Sequence, residues 1–230
     1  MWPQWVLERV NTREPIRRQI GQLAPKWTDN PEVKIKSVCH DCNNGWMSGL
    51  EQKSIPLVGA LLGDIQLNLD ASQQAQISLW AAKTAMILDS VRGHVRFYSP
   101  SECEELKIGK IPASTAVWLG RYLGSSLHGD GATFSILSDG RKIGEGCVNT
   151  ILIGHLILQV LTTHVSRDDH THMLTIHRDI LQKWSGLLIQ VRPIAAKAAQ
   201  WPPRDSFSNY GRFPFGSLVN RFRVAVLSVL

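Results

Sequence analysis

The sequence predicts an α+β protein, in which a β-turn-helix unit over residues 1–65 precedes a unit over residues 66–230 built from a helix packed on a mainly antiparallel sheet. Three observations predict this fold class. A tight turn at residues 39–46 is followed by a helix-compatible segment, and residues 71–92 repeat apolar side chains at helical spacing. After Pro100, short β-rich segments alternate with Gly, Asp and Ser clusters, as in antiparallel sheets.

The first unit is predicted to contain one strand and two helical segments. Residues 33–38 alternate apolar and polar side chains, which predicts a strand that enters Cys39. Residues 46–54 predict a short helix. Pro56 is expected to end that helix and to start a second one through Leu62, because a proline favours the first turn and disrupts an interior turn.

The strongest helix signal covers residues 71–92, where Asp70 or Ser72 would cap the first turn and Gly93 would end the last one. Apolar and small residues at three- and four-residue steps predict one buried face: Ile77, Trp80, Ala81, Thr84, Ala85, Leu88 and Val91. Lys83 lies within this helix and is expected to reach solvent, with its stem along the protein surface.

Strands are predicted at residues 115–123, 132–137, 150–163, 174–177 and 187–192. Ser138-Asp139-Gly140 indicates a turn, and Gly154 predicts a bulge or bend inside a buried strand. Trp201-Pro202-Pro203 predicts another turn, whereas residues 204–230 carry no pattern that assigns them to an element. No internal repeat is visible in the sequence.

Composition favours a soluble, cytoplasmic protein with no membrane span. Hydrophobic residues make up 43% and charged residues 19% of the chain, which suits a packed core. The longest apolar segment, residues 150–161, is too short to cross a bilayer, and no apolar segment typical of a signal peptide follows the first residues. The net charge of +6 fits a nucleic-acid partner, although many other proteins share it.

Two of the four cysteines, Cys39 and Cys42, are two residues apart, a pattern typical of metal or redox sites in a reducing compartment. Thiolates at this spacing can bind one zinc ion from a single turn, but a complete structural site needs four ligands. Because Cys103 and Cys147 stand alone and His40 is expected to point away, half a zinc site and an unmetallated turn both remain open. Asn43 would either cap the following helix or reach a second metal.

Other sites have weaker signals. Residues 168–172, with His170 and His172 two apart and His164 and His177 nearby, could bind a metal, although a polar loop is the favoured interpretation. The sequence has no nucleophile elbow, P-loop or dinucleotide fingerprint. The glycines of residues 140–146 are better explained by a hairpin loop than by phosphate binding.

Residues 38–47 and several shorter segments of the chain together resemble bacterial HNH-endonuclease-like proteins. The segment at residues 38–47, with its Cys-x-x-Cys-Asn-Asn-Gly-Trp-Met pattern, is the most specific of them. The other similar segments are residues 2–5, 50–51, 80–85, 117–122 and 201–203.

The resemblance implies a treble-clef-like ββα remnant that binds metal and acts on DNA by hydrolysing phosphodiester bonds. It places Cys39 and Cys42 in the second pair of structural zinc ligands. It places Asn43 at the last residue of the HNH motif, at the start of the helix and beside a catalytic Mg²⁺ or Mn²⁺. The activating histidine would lie immediately before Met1, the first cysteine pair would lie further upstream, and Lys34 stands where the middle asparagine is common. The resemblance therefore implies an N-terminally truncated form, incomplete or inactive by itself.

Four basic residues of the N-terminal leader, residues 1–37, are candidate phosphate contacts: Arg17, Arg18, Lys34 and Lys36. Two alternatives to a nuclease stay open at this point. One is a non-catalytic, degenerate zinc-knuckle module that binds nucleic acid or protein. The other is a metal-independent structural protein whose basic leader is only solvated.

Overall fold

A computed structural model of the chain describes residues 3–10, 16–18, 26–28, 38–91, 96–138, 141–165, 186–194 and 197–208. Within these residues the elements follow in the order α1 (Gln4–Arg9), β1 (Ile16–Arg18), β2 (Lys26–Thr28), α2 (His40–Cys42), a turn kinked at Gly45 (Asn43–Met47), α3 (Ser48–Leu62), β3 (Leu67–Leu69), α4 (Ala71–Val91), α5 (Pro100–Lys107), β4 (Thr115–Ser138), β5 (Arg141–Val165), β6 (Leu188–Arg192) and β7 (Ala199–Trp201). The protein is thus α+β, with antiparallel pairing between all neighbouring strands of its described sheets.

Helix α4 covers the predicted helix and packs on β4, β5 and β6 as well as on α3. The predicted apolar face is buried from Ile77 to Leu88, and Val91 is half-buried. Asp70 caps the helix, because its carboxylate accepts the backbone N–H of Gln73 at 2.8 Å. The prediction of a helix packed on an antiparallel sheet is confirmed.

The sheet that α4 covers is dominated by one long hairpin, β4–β5, whose strands span 24 and 25 residues. Strand β4 is central, between β5 and β6. The two strands predicted at residues 115–123 and 132–137 are parts of this one strand, because residues 126–131 between them pair with β5. Ser138 pairs with Arg141, while Asp139 and Gly140 of the predicted turn lie outside the described residues.

The hairpin bends at Gly154, which has a φ of 59° that favours glycine over L-residues. Ile151 and Ile153 face the helices before the bend, and Leu156 and Leu158 face them after it. The residues of β5 that face the helices are thus odd-numbered before the bend and even-numbered after it. Such a change is expected where extra residues interrupt the pairing of two strands. The predicted bend in this strand is confirmed.

Both faces of the curved hairpin are apolar. One face shares a core with the helices, in which Val6, Leu61 and Trp80 lie in one cluster with Val117 and Ile151. The other face forms a second cluster of its own residues with parts of the C-terminal segments: Ala116, Trp118, Tyr122, Phe134, Ile136, Val148, Leu152, Ile157, Leu161, Leu188 and Phe207. Residues on both sides of position 65 therefore contribute to one core, while the division into domains 1–65 and 66–230 stays a prediction.

Helix α3 differs from the prediction, because it continues from Ser48 to Leu62 with Pro56 inside it. A proline cannot donate to the carbonyl four residues earlier, which here belongs to Gln52. Gln52 is exposed and Pro56 is not buried, so water can bond that carbonyl. The buried residues Leu57, Val58 and Leu61 hold the helix against the core.

Two other helices were not anticipated. Helix α1 buries Val6 in the main core. Helix α5 begins with a capping box in which Ser99 and Glu102 exchange hydrogen bonds, and Pro100 occupies its first turn.

Strands β1 and β2 pair as a short antiparallel ribbon. No treble clef is evident in the described part of the chain. The predicted strands at residues 33–38 and 174–177 lie outside that part, apart from Val38, which belongs to no strand. No helix among the described residues is long and apolar enough to cross a membrane.

Candidate functional site

Cys39 and Cys42 lie in one tight turn at the protein surface. Cys39 occupies the N-cap position of α2, and its sulfur accepts the backbone N–H of Cys42 at 3.2 Å. The side chain of Cys39 is exposed and that of Cys42 is half-buried. The sequence Cys-x-x-Cys thus brings two sulfur atoms to the same side of the turn, within reach of solvent.

The hydrogen bonds of this turn distinguish the two thiols. The Cys42 thiol donates to the Cys39 sulfur, and with the Cys42 N–H it lowers the pKa of Cys39 below the ordinary 9.0. The same bond raises the pKa of Cys42, because a thiol that donates its proton holds that proton more tightly. Cys39 is therefore the thiol that ionises first.

A row of exposed polar side chains continues from the thiols. Asn43 donates its amide N–H to Asn44 Oδ1 at 3.3 Å, and Asn44 donates to His40 Nε2 at 2.8 Å. His40 Nδ1 lies 3.4 Å from Asp41 Oδ1, so the proton of this imidazole belongs on Nδ1. His40 was expected to point away from its neighbours, but the one-turn spacing of residues 40 and 44 places it against Asn44.

Apolar packing beneath this surface holds the turn in place. Met47 is buried with Met86, Phe97 and Leu106, in a cluster that joins the turn to α4 and α5. Trp46 packs against the same cluster. The polar row is thus carried on a fixed support, which a binding site needs.

A second polar group lies on the buried side of α3. The Glu51 carboxylate accepts the indole N–H of Trp5 at 3.0 Å and that of Trp80 at 2.9 Å, and it forms an ion pair with Lys83. The side chains of Lys83 and Glu51 are only 4% and 13% exposed. Donors from α1 and α4 thus converge on one carboxylate of α3 and join three helices.

The expectation that Lys83 reaches solvent is therefore wrong. Lys83 follows Trp80 by three residues, so both project from one face of α4, and that face is buried. This spacing was the available signal, since a lysine on a buried face needs an acidic partner. Trp5, Glu51 and the Trp80–Lys83 segment thus meet in a buried polar group rather than in a surface site.

The other predicted site residues are less fully described. Arg17 and Arg18 lie in β1, where Arg17 pairs with Trp27 across the ribbon. Lys34, Lys36, His170, His172 and His177 lie outside the described residues. His164, at the end of β5, contacts Glu102 at 2.7 Å and stacks on Phe97.

A metal would thus meet two thiols at the Cys39–Cys42 turn. In the segments that the structure describes, no group of three or more His, Cys, Asp or Glu side chains is placed to hold a metal ion. Thiols are soft ligands that suit zinc, and N–H donors to sulfur, as at Cys39, accompany metal-bound thiolates, so the pair fits half of a zinc site. Comparison of the chain with protein-family models, curated proteins and solved structures finds no match.

Proposed function

We propose that this chain carries an HNH-type, metal-dependent DNA endonuclease module, in which Cys39 and Cys42 bind a structural zinc ion. The observation that carries the proposal is the shared turn, which holds Cys39 exposed and Cys42 half-buried and in which the backbone N–H of Cys42 donates to the Cys39 sulfur at 3.2 Å. A zinc ion bound there would fix the start of the helical segment that bears Asn43. The other two ligands of a tetrahedral site would come from outside this group.

The proposal assigns Asn43 to the catalytic-metal side. Its amide nitrogen already donates to Asn44, which leaves the amide oxygen to face a cation. Oxygen ligands suit Mg²⁺ and Mn²⁺. A divalent metal, when bound, would supply Lewis-acid activation of a phosphodiester and of water. Asn43 itself would hold and orient the metal ion rather than transfer a proton, since an amide has no titratable proton to exchange.

A treble-clef arrangement of residues 1–65 belongs to this proposal. It requires a strand to enter Cys39 from residues 33–38 and to pair beside the α3 helix. Segment β1–β2 supplies an antiparallel ribbon upstream, and the continuous α3 supplies the helix. The positions of Lys34 and Lys36 on that strand would place two basic side chains near the DNA backbone.

The second candidate function is a zinc-knuckle module that binds nucleic acid or protein without cutting it. The exposed row of Asp41, His40, Asn44 and Asn43 favours this candidate, because it offers both donors and acceptors beside the thiols. Such a row can contact a partner with no catalytic metal.

Cleavage of supercoiled plasmid DNA by a zinc-loaded form of the protein that carries an activating histidine, with Mg²⁺ or Mn²⁺ added, separates the two candidates. A nuclease converts the plasmid to nicked and linear forms, and Asn43→Ala lowers that rate by about 100-fold or more, while Asn44→Ala serves as the neighbouring control. Binding with no cleavage in either metal would replace the nuclease with the binding module. Asn43→Ala cutting at the normal rate would remove the assigned role of Asn43.

The same protein allows a test of the proposed phosphate contacts. The logarithm of DNA affinity should fall linearly with the logarithm of salt concentration, and Arg17→Ser with Arg18→Ser should reduce that slope by about one for each phosphate that the variant no longer binds. An unchanged slope would place the DNA-binding surface elsewhere on the chain.

A further inference from the structure

We infer that Cys39 and Cys42 form a thiol–disulfide exchange pair, whose oxidation to an internal disulfide switches off the zinc site. The inference rests on the proposed function for its regulatory meaning, but the exchange chemistry stands on the geometry of the turn alone. The site would take a low-molecular-weight disulfide, such as glutathione disulfide, as its reaction partner.

The two sulfur atoms are already neighbours in the reduced protein. Cys42 directs its backbone N–H at the Cys39 sulfur, at 3.2 Å. A disulfide requires its two sulfur atoms about 2.05 Å apart, so the hydrogen-bonded pair needs only a local approach to form one. The polypeptide between them is only two residues long, so a distant rearrangement is not required.

Their exposures give the two cysteines different roles. Cys39 is exposed, so its sulfur is open to a disulfide in solution, and the N–H donor beside it stabilises a negative sulfur. Cys42 is half-buried behind it. Cys39 is therefore the attacking cysteine, and Cys42 resolves the mixed disulfide that results.

The exchange balances in two steps. The Cys39 thiolate attacks one sulfur of glutathione disulfide, forms a Cys39–glutathione disulfide and releases one glutathione thiolate. Cys42 then loses its proton and attacks the Cys39 sulfur, which forms the internal disulfide and releases the second glutathione thiolate. The two cysteines lose two electrons, glutathione disulfide gains them, and the two protons released by the cysteines match those taken up by the glutathione thiolates.

Oxidation and metal binding exclude each other at this turn. Zinc is held by thiolates, and the sulfur atoms of a disulfide carry no negative charge with which to bind it. Zinc bound to both thiolates would in turn shield them from exchange. The turn therefore has a reduced, metal-competent form and an oxidised, metal-free form.

The remaining cysteines provide controls within the chain. Cys103 is half-buried in α5, where burial raises the pKa of its thiol. Cys147 is fully buried in β5. Reaction at Cys147 would report unfolding rather than exchange, so the folded chain can be monitored in the same sample.

The experiment uses the full chain, freed of metal by a chelator and placed in glutathione buffers of increasing oxidised fraction. Acid quenching, alkylation and peptide mass analysis then identify each disulfide. We expect an internal Cys39–Cys42 disulfide. In Cys42→Ser the Cys39–glutathione adduct should accumulate, forming about tenfold faster than any adduct of Cys103. In Cys39→Ser the Cys42 thiol should react more slowly than Cys39 does.

The inference is overturned if no internal disulfide forms while Cys147 stays unreacted, or if Cys39 in Cys42→Ser reacts no faster than Cys103. Repeating the exchange with one equivalent of zinc distinguishes this failure from that of the zinc proposal. If zinc binds the chain but no internal disulfide forms in the zinc-free sample, the zinc site is supported and the exchange pair is not. A disulfide that forms equally fast with and without zinc supports the exchange pair and contradicts the zinc site.

Discussion

At the scale of single residues, local hydrogen bonds decide how similar side chains behave. Cys39 and Cys103 are both cysteines near helix starts, yet the bonds from Cys42 lower the pKa of Cys39 while burial raises that of Cys103. The sequence reveals the spacing of Cys39 and Cys42 but not the direction of this difference. That direction depends on which sulfur accepts the hydrogen bond.

The difference predicts two separate pH profiles for alkylation of the metal-free chain. Because a lowered pKa places more of a thiol in its reactive thiolate form, the rate at Cys39 should reach half its maximum below pH 9.0. The rate at Cys103 should reach half its maximum above pH 9.0. Rates from iodoacetamide labelling and peptide mass analysis measure both midpoints, and a reversed order would contradict the hydrogen bonding described for the turn.

Glu51 offers a second prediction at this scale. Glu51→Gln should lower the free energy of unfolding by about 3 kcal/mol, because it leaves the buried Lys83 ammonium with no opposite charge from Glu51. Removing both charges, by Glu51→Gln with Lys83→Met, should cost less than the sum of the single changes.

Denaturant titration followed by circular dichroism measures these free energies. Glu145→Gln is the matched control, since its ion pair with Lys142 is exposed on both sides and its loss should leave the unfolding midpoint unchanged. Equal midpoints for Glu51→Gln and the control would show that the buried pair contributes nothing to stability.

At the scale of elements, apolar periodicity is the most reliable guide. Helix α4 buries the face that its apolar residues predict, and strand β6 at Leu188–Arg192 lies where the apolar pattern predicts a strand. Helix α3 and strand β4 are longer than predicted, because packing outweighs one proline in the helix and a polar, glycine-containing segment in the strand. Helix α5 had a sequence signal in Ser99-Pro100-Ser101-Glu102, a capping box with an N-terminal proline.

The backbone conformation of Gly154 leads to a prediction about the stability of the bent hairpin. Gly154→Ala should destabilise the protein by about 1–2 kcal/mol, since its φ of 59° is costly for a residue with a Cβ. Space is not the reason, because the nearest atom to an added Cβ is 3.6 Å away, on Val10. Gly154→Asn should cost less, since asparagine tolerates this conformation better. Thermal unfolding measures both changes, and an alanine variant as stable as the original protein would contradict the left-handed conformation at Gly154.

At the scale of the whole molecule, the hydrophobic core was easier to predict than the site. Composition and periodicity indicate that α4 lies on an antiparallel sheet, because burial of apolar surface is non-directional and needs only the right pattern. The ion pair of Glu51 and Lys83 joins segments that lie far apart in the sequence, so no local sequence pattern predicts which residues contact Glu51. The turn at Cys39 and Cys42 was predictable, since both sulfur atoms belong to one short segment.

The turn is also connected to the core of the molecule. Met47 and Trp46 continue from the thiols into the cluster with Met86 and Leu106. Zinc at the turn should therefore stabilise the fold as well as organise the surface, because a ligand that binds only the folded state adds to its stability.

Zinc content of the purified full chain is the measurement that tests the central claim most directly. We predict that zinc binds the chain, that Cys39→Ser with Cys42→Ser abolishes this binding, and that Cys103→Ser leaves it unchanged. Native mass spectrometry after exposure to one equivalent of zinc under reducing conditions gives all three values. Equal zinc content in the original chain and in the double serine variant, with both folded by circular dichroism, would contradict a metal site at the Cys39–Cys42 turn.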